Sequence, residues 1–411
     1  MNWKTFMFVS FWTNFCEAFD CFCVDKVQII ISCDCIKDPR VTSIDEFNND
    51  LLFRKLKDVL ERSYFRYFSY DGHQKCKFLD IVKDYDLLSS SCQNEACSIK
   101  ICDKNTVPAA FLDECFRSQV DNTISDSVRS ELSSWKNYDD KLNSLICHPD
   151  DFCPVCDYVD LTLNPETFTG YSGPSAQKVW KAIYNENCFS SNFIDASYEN
   201  FIEGLCLEKR VFFRALSGLH SSISIHLSAQ YPMMSRLLHY GPNVQEFNRR
   251  FAHEWGQHWL KNLYYLYLLE LQALNSVSEY LKLHHYHTAD DIEDNITKDM
   301  IKDILEIVTS FNNNNNPLFA DDKDKKQIPL IEEFQQHFHN ISQIMNCVGC
   351  DKCKLWGKLQ ISGLGTAFKV LFGKQFQLKR NEIVALFNSL GRLSTSIYQL
   401  SIFREMQKID L

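Results

Sequence analysis

The stretch Cys347-Val-Gly-Cys350-Asp-Lys-Cys353-Lys-Leu-Trp356-Gly-Lys-Leu-Gln360 joins three cysteines to a basic, apolar segment. The cysteines are three residues apart, a spacing that suits either a metal site or a dithiol that opens and closes. At a helix start Cys350 and Cys353 share one face, and the helix N-terminus lowers the pKa of a thiol placed there. The pair is predicted to supply a thiolate nucleophile and a resolving thiol, with a structural disulfide and a zinc site as the alternatives.

The composition restricts both the partners and the compartment of the chain. The 411 residues carry a formal net charge of -10, which argues against nucleic acid because phosphate binding requires a basic surface. The 18 cysteines are many for this length, and they occur in clusters. Such clusters are typical of metal sites or of disulfides formed in an oxidising compartment.

Residues 1–18 are predicted to be a secretory signal peptide, because Lys4 precedes a short apolar run. A buried N-terminal helix is the alternative. No other run of about 18 apolar residues occurs, so no membrane span is expected. Asn295-Ile-Thr297 and Asn340-Ile-Ser342 are N-glycosylation sequons, which fit a glycoprotein of a secretory lumen.

Residues 19–411 are predicted to form a single, mainly α domain whose N-terminal half is tied by cysteines. Two Cys-x-Cys pairs flank a β-favouring run, which predicts a hairpin closed by the bridges Cys21–Cys35 and Cys23–Cys33, with zinc as the alternative. Residues 71–160 are polar, lack long periodic segments and contain eight cysteines. A loop-rich and mobile region is therefore expected there.

Residues 160–411 are predicted to form a bundle of long helices. Apolar residues at helical spacing place these helices at 175–185, 199–228, 244–283, 330–346, 352–372 and 380–406. A further helix is expected at 42–70, begun by a capping box of Ser43 and Glu46. The asparagine-rich stretch at about 310–327 is expected to be an exposed insertion.

A second set of cysteines, Cys92, Cys97 and Cys102, is spaced five and five within the loop-rich region. A dithiol on a flexible loop can meet an external protein and then an internal disulfide, since thiol–disulfide exchange needs only contact, a thiolate and a leaving thiol. A relay of thiols must end at a metal or a flavin, because thiols react poorly with dioxygen alone. No Gly-x-Gly-x-x-Gly fingerprint opens a Rossmann unit, so a flavin would be held by other residues.

Several short motifs in the same order carry a resemblance that covers most of residues 20–400. They are Cys21-Phe-Cys23 with Cys33-Asp-Cys35, Phe47-Asn-Asn, Ser63-Tyr-Phe-Arg-Tyr67, the Cys92/Cys97/Cys102 ladder, Asn164-Pro-Glu-Thr-Phe-Thr-Gly-Tyr171, Glu186-Asn-Cys188-Phe, Glu203-Gly-Leu-Cys206, Ser217-Gly-Leu-His220, Gly241-Pro-Asn-Val-Gln-Glu-Phe247, Leu260-Lys-Asn-Leu-Tyr264 and the block from Cys347 to Gly365. With these motifs the sequence resembles the endoplasmic reticulum oxidoreductins, the flavin-dependent thiol oxidases that reoxidise protein disulfide isomerase.

The resemblance implies a central helix bundle that holds FAD beside the redox pair Cys350–Cys353. The pair Cys92–Cys97 would be the shuttle that receives electrons from the isomerase. Electrons would then pass from the shuttle to Cys350–Cys353, to FAD and to dioxygen, giving hydrogen peroxide.

Other cysteines are given structural or regulatory roles by the same resemblance. The bridges that it implies are Cys76–Cys347 and Cys188–Cys206. Cys115 matches a position that can bridge to the outer shuttle cysteine and switch the enzyme off. Cys102 is a further candidate for regulation. Cys147, Cys153 and Cys156 do not match the family pattern, and Cys153-Pro-Val-Cys156 is expected to be a regulatory bridge or another exchange site, with a local structural disulfide as the alternative.

Flavin contacts are likewise implied position by position. The residues expected to bind the cofactor are Thr167, Thr169, Tyr171, Trp180, Ser217, His220 and Arg250. Two positions depart from the family pattern. Thr167 stands where the family usually has arginine, and a second basic contact is replaced near Trp259.

The implied partners are a thioredoxin-like protein disulfide isomerase and dioxygen, and no metal site is expected. A monomer in the endoplasmic reticulum lumen is expected, with at most a peripheral association with the membrane. No retention signal of the Lys-Asp-Glu-Leu type ends the chain, so retention would require a partner. A zinc-binding interaction module and an inactive scaffold that binds the isomerase without FAD are the competing hypotheses.

Overall fold

Helices make up most of the described chain, which confirms the mainly α fold. A computed structural model describes residues 39–70, 99–112, 157–163, 207–233, 239–251, 255–311, 351–372 and 377–409, with short runs inside 179–189 and 334–348. The helices of four residues or more are α1 (Pro39–Glu46), a π-helix (Phe47–Leu52), α2 (Phe53–Leu60), α3 (Ser63–Arg66), α4 (Ala109–Leu112), α5 (Leu207–Ala229), α6 (Val244–Phe251), α7 (Gly256–Ser276), α8 (Ser278–Leu283), α9 (Asp291–Ser310), α10 (Asp351–Phe372) and α11 (Arg380–Ile409). No helix in these ranges is both long and apolar enough to cross a membrane.

The strands of the described ranges form two short antiparallel ribbons. β1 (Tyr67–Tyr70) pairs with β2 (Asp157–Asp160), which a short 3-10 helix (Leu161–Leu163) follows. β3 (Tyr231–Met233) pairs with β4 (His239–Gly241). An isolated bridge between Ile101 and Val159 attaches the segment around residue 100 to the first ribbon.

Four long helices, α5, α7, α10 and α11, pack on one another and supply the centre of the core. The apolar stripe predicted along α7 is buried, as Leu263, Tyr267 and Leu271 show with 0% exposure. Helices α10 and α11 run antiparallel, since Gly363 faces Ser389 whereas Trp356, two turns earlier, faces Arg392. The bundle expected for the second half of the chain is therefore present.

The expected helix at 42–70 is divided, and its predicted capping box is wrong. Helix α1 begins at Pro39, so Ser43 lies inside the helix and not at its cap. A π-helix then places Asn48 in the core, where its Oδ1 accepts hydrogen bonds from Tyr267 Oη (2.9 Å) and Ser394 Oγ (2.6 Å). The Asn48 amide also donates to the carbonyl of Ser394 (3.0 Å). This side chain ties the N-terminal helices to α7 and α11.

The stretch predicted as one helix at 244–283 contains α6, α7 and α8. Helix α6 starts where Asn243 Oδ1 accepts a hydrogen bond from the Glu246 amide (2.9 Å), which is a side-chain N-cap. Helix α7 ends at Ser276, and Val277 separates it from α8. The predicted helices at 352–372 and 380–406 correspond to α10 and α11, with starts that agree within one residue.

Helix α9 was not predicted, although its sequence contains a clear N-terminal signal. The Asp290 side chain accepts hydrogen bonds from the backbone amides of Ile292 and Glu293, and acidic residues fill the first turn. Ile301 and Ile304 are buried, whereas Ile292 and Ile296 are exposed. Because apolar residues lie on both the buried and the exposed face of α9, its sequence lacks the one-sided apolar stripe that indicates a helix.

Glu270 is a buried acid that should make stability depend on pH. It lies in α7 with 0% exposure and accepts a hydrogen bond from Ser389 Oγ (2.5 Å). Burial raises its pKa from 4.5 to about 8, against the effect of the Ser389 hydrogen bond. The native state keeps this proton where the unfolded state has released it, so stability is lost as the pH rises from about 4.5 to 8.

The variant Glu270→Gln is therefore expected to be more stable than the parent protein above pH 5, by up to about 1.4 kcal/mol for each pH unit until about pH 8. The amide retains an acceptor for Ser389 and removes the titrating group. Denaturant unfolding of both proteins at pH 5 and pH 8 measures the difference. An equal advantage at the two pH values would contradict the raised pKa.

Candidate redox site

Cys353 occupies the first turn of α10, as its spacing from Cys350 predicted. Its side chain is only 1% exposed and its sulfur takes part in a disulfide. Cys350 lies outside the described residues, immediately before the helix. A disulfide at a helix N-terminus is chemically suited to release a stabilised thiolate when another thiol attacks it.

Aromatic rings from three elements meet at His220 of α5. The Trp180 ring stacks on His220 at a centroid distance of 3.9 Å, and Trp259 of α7 lies 4.8 Å from it. Tyr184 Oη is 3.3 Å from His220 Nδ1, which fixes the orientation of the imidazole. Two predicted flavin contacts, Trp180 and His220, are thus brought together.

Ser217 lies one turn before His220 and joins the same group. Its hydroxyl oxygen accepts a hydrogen bond from Asn262 Nδ2 of α7 (3.0 Å). Ser221 lies one turn after Ser217, and its Oγ donates a hydrogen bond to the carbonyl of Trp259 (2.9 Å). These bonds hold α5 and α7 in register beside the aromatic rings.

Arg250 is placed on α6 and supplies a buried cation. Its side chain is 2% exposed, and its guanidinium lies 2.7 Å from Glu246 Oε1, which Arg249 also contacts. Burial lowers the pKa of Arg250, an effect that the Glu246 charge opposes. Burial would raise the pKa of Glu246, but the two arginines outweigh it and the pKa is lowered. The acid is therefore ionised and keeps the guanidinium in place.

A small apolar cavity lies between the Trp180 segment, α5 and the cysteine-bearing helix α10. Its walls come from the Trp180 segment, α5, the side chains of Ile341 and Met345, and α10. The lining residues are Trp180, Ile183, Leu216, Leu219, Ile223, Ile341, Met345, Trp356, Gly357 and Ile361.

The segment that follows the predicted shuttle cysteines is attached to the first ribbon. Ile101 bridges Val159, and the Cys102 amide donates to the carbonyl of Tyr158 (3.0 Å). Tyr70 of the same ribbon carries the ammonium of Lys358 from α10 above its ring, 5.9 Å from the centroid. One ribbon therefore contacts both the segment after Cys97 and the helix that carries Cys353.

Cys102 is a partly buried free thiol. Burial, followed by the negative charge of Asp160, raises its pKa. Such a thiol remains protonated at neutral pH and is a poor nucleophile. Its proposed part in regulation stays a prediction.

Many of the predicted residues lie outside the described ranges, and their roles stay predictions. They are Cys92, Cys97, Cys350, Thr167, Thr169, Tyr171, Cys21, Cys23, Cys33, Cys35, Cys76, Cys188, Cys206, Cys347, Cys115, Cys153 and Cys156. Sequence reasoning assigned no role to Tyr184 or Trp356, although both belong to the site. Tyr184 follows Trp180 by four residues and Trp356 follows Cys353 by three, so helical spacing already placed each on the same face as a predicted site residue.

The described residues fit a flavin. A fused aromatic ring system requires apolar walls, and the cavity supplies them with Trp180, Leu219 and Trp356. The Trp180 Nε1 atom is buried without a hydrogen-bond partner among the described residues, as expected of a donor that awaits a ligand. Arg250 adds a buried cation suited to a phosphate group.

Comparison with known proteins agrees with this geometry. The family model of Endoplasmic Reticulum Oxidoreductin 1 (ERO1) matches residues 51–400. ERO1-like protein alpha of Rattus norvegicus is 39% identical over 426 residues, which cover 91% of this chain and 89% of the relative. Ero1-like protein of Drosophila melanogaster is 36% identical over 459 residues, covering 94% and 90%.

Solved structures of S. cerevisiae Ero1p share the fold. A double cysteine-to-alanine mutant is 29% identical, with a TM-score of 0.62 over 90% of this chain and 98% of that chain. A second structure, of the protein described as a source of disulfide bonds for oxidative protein folding in the cell, is 28% identical with a TM-score of 0.60, covering 90% and 99%. The chain therefore belongs to the ERO1 family of endoplasmic reticulum oxidoreductins.

Proposed function

We propose that this chain is a FAD-dependent thiol oxidase that reoxidises protein disulfide isomerase during oxidative protein folding. The observation that supports it most is the apolar cavity shared by Trp180, α5 and α10. Trp180, which is an expected flavin contact and stacks on His220, lines this cavity together with the helix whose first turn carries Cys353. A site for an electron acceptor beside a buried disulfide is what a thiol oxidase requires.

The cofactor would be held by the residues that surround this cavity. Trp180 and His220 offer aromatic surfaces, Ser217 a hydroxyl, and Arg250 a cation held by Glu246. The expected contacts Thr167, Thr169 and Tyr171 complete the proposed set. When bound, FAD accepts two electrons from a dithiol and passes them to dioxygen, which leaves as hydrogen peroxide.

The first exchange is proposed to occur at the shuttle pair. A thiolate of the reduced isomerase attacks Cys92, the Cys92–Cys97 bond breaks, and Cys97 leaves as a thiolate. The second thiol of the isomerase then attacks the isomerase sulfur that is bonded to Cys92 in the mixed disulfide. This step releases the oxidised isomerase and leaves Cys92 and Cys97 as a dithiol.

The second exchange is proposed to begin at Cys350. Cys353 is 1% exposed, so an incoming thiolate from Cys97 reaches the disulfide at its other sulfur. Attack at Cys350 forms a Cys97–Cys350 disulfide, breaks the Cys350–Cys353 bond and leaves Cys353 as the thiolate inside the protein. Cys92 then attacks Cys97, which re-forms the Cys92–Cys97 disulfide and releases Cys350 as a thiol. The buried position of Cys353 supports a role on the cofactor side of the pair.

The proposed location is the endoplasmic reticulum lumen. Its oxidising conditions suit the 18 cysteines. The sequon residue Asn295 is exposed on α9, so a glycan attached there would extend into solvent. A monomer that meets its isomerase through the loop-rich region remains the proposed organisation.

Two measurements on the purified full-length chain test the proposed function. A visible spectrum should show the absorption band of oxidised flavin, and reduced isomerase should start oxygen consumption with release of hydrogen peroxide. Stoichiometric zinc without flavin would favour the zinc-binding module instead. A colourless protein that binds the isomerase but consumes no oxygen would favour the inactive scaffold.

A further inference from the structure

Gln360 is a buried amide without a hydrogen-bond partner. It lies in α10 with 0% exposure, and neither its Oε1 nor its Nε2 has a partner among the described residues. An amide side chain offers two donors and one acceptor, and leaving them all unpaired in the core is costly. An orphaned polar group of this kind indicates that something absent from the protein chain satisfies it.

Gln360 shares a face of α10 with residues that line the apolar cavity, although it is not itself one of the lining residues. Trp356, Gly357 and Ile361 line the cavity, and Gln360 lies four and three residues after the first two. Residues at these spacings are neighbours on one helix face. Cys353 lies on the same face two turns earlier, about 10 Å away along the helix axis.

The walls of the cavity offer few polar groups to a ligand. Its lining side chains are aliphatic or aromatic, and Trp180 Nε1 is a second buried polar atom without a partner among the described residues. An isoalloxazine ring has an apolar dimethylbenzene end and a pyrimidine edge in which an N–H lies between two carbonyls. An amide can pair with such an edge through one donated and one accepted hydrogen bond.

We propose that the Gln360 amide hydrogen-bonds to the pyrimidine edge of the flavin and so fixes the ring beside Cys353. The inference rests on the proposed function, because it requires the chain to bind a flavin. It adds a residue of α10 to the expected contacts, all of which precede residue 251 in the sequence. The same helix would then carry both the redox cysteine and a group that orients its electron acceptor.

The variant Gln360→Met tests the proposal, because it keeps the length of the side chain and removes both polar atoms. FAD affinity, measured by titration of the flavin-depleted chain, is expected to fall about tenfold, which corresponds to about 1.4 kcal/mol. The visible band of the flavin that remains bound should shift, because its ring loses hydrogen bonds. The unfolding temperature of the flavin-depleted variant should rise, because an unpaired buried amide is gone.

Thr297→Val provides a matched control on α9 when every variant is produced without N-glycans, because this change also removes the Asn295 sequon. Thr297 Oγ1 is also buried without a partner among the described residues, but α9 does not line the cavity. This variant should raise the unfolding temperature and leave FAD affinity and the flavin band unchanged. If Gln360→Met bound FAD with wild-type affinity, as expected if water satisfies the amide, the role of Gln360 would be refuted and the proposed function would stand. A wild-type chain that binds no flavin would overturn the proposed function as well.

Discussion

Replacing Cys353 with serine is expected to reduce oxygen consumption with reduced isomerase to the background rate of the assay. The variant lacks the disulfide that we propose accepts electrons from the shuttle, and serine cannot form a mixed disulfide or a thiolate. Flavin absorption should persist, because the cavity walls supplied by Trp180, Trp356 and Ile361 are unchanged. Oxygen uptake and the visible spectrum of the same preparation separate loss of the redox pair from loss of the cofactor.

Two further cysteine variants and one control complete this experiment. Cys350→Ala and Cys92→Ala should also stop turnover, because each removes one sulfur of a proposed relay pair. Cys102→Ser should keep at least the wild-type rate, because Cys102 is a free thiol outside both pairs and its raised pKa keeps it protonated. Wild-type turnover in both Cys350→Ala and Cys92→Ala would refute the relay.

Gly218→Ala is expected to damage both the fold and the flavin site. A Cβ atom at this position would lie 2.4 Å from the Asn262 carbonyl oxygen and 2.9 Å from Leu266 Cβ, so α5 must move away from α7. Overpacking of this kind costs about 1–3 kcal/mol. The movement would also strain the Ser217–Asn262 hydrogen bond beside His220. We expect a lower unfolding temperature and less flavin per chain.

Gly391→Ala is the matched helical control. Its added Cβ would meet only the Leu60 side chain, with Cδ1 at 2.6 Å and Cγ at 3.9 Å, and the flexible end of that side chain can move aside. Alanine is preferred over glycine inside helices by about 1 kcal/mol, so this variant should be neutral or stabilising. Equal losses of stability and flavin in the two variants would show that the close contact between α5 and α7 is not the cause.

The helices that could be predicted are those indicated by the spacing of apolar residues in their own sequence. Helix α10 begins within one residue of its predicted start, because the polar residues Asp351 and Lys352 precede a long stretch rich in apolar residues. The π-helix around Asn48 could not be predicted, because its cause is a set of hydrogen bonds to Tyr267 and Ser394 more than 200 residues away. Local sequence carries no information about such partners.

In the candidate site, too, local sequence predicted some features, whereas others depend on distant partners. Spacing placed Cys353 in the first turn of a helix, and the resemblance selected Trp180 and His220 as flavin contacts. The stacking of these two rings depends on how separate helices pack, which no spacing rule provides. Gln360 gave no signal either, because a lone amide in an apolar helix is conspicuous only when its surroundings are known.

The bridge between Ile101 and Val159 has a consequence for the rate of the proposed relay. Cys97 lies four residues before this anchor, so the extended chain allows it to search within about 14 Å of a fixed point. Confinement by a short tether raises the effective concentration of one reactant near another to about the millimolar range. Electron transfer inside the enzyme would therefore be independent of how much enzyme the lumen contains, and only the encounter with the isomerase would follow concentration.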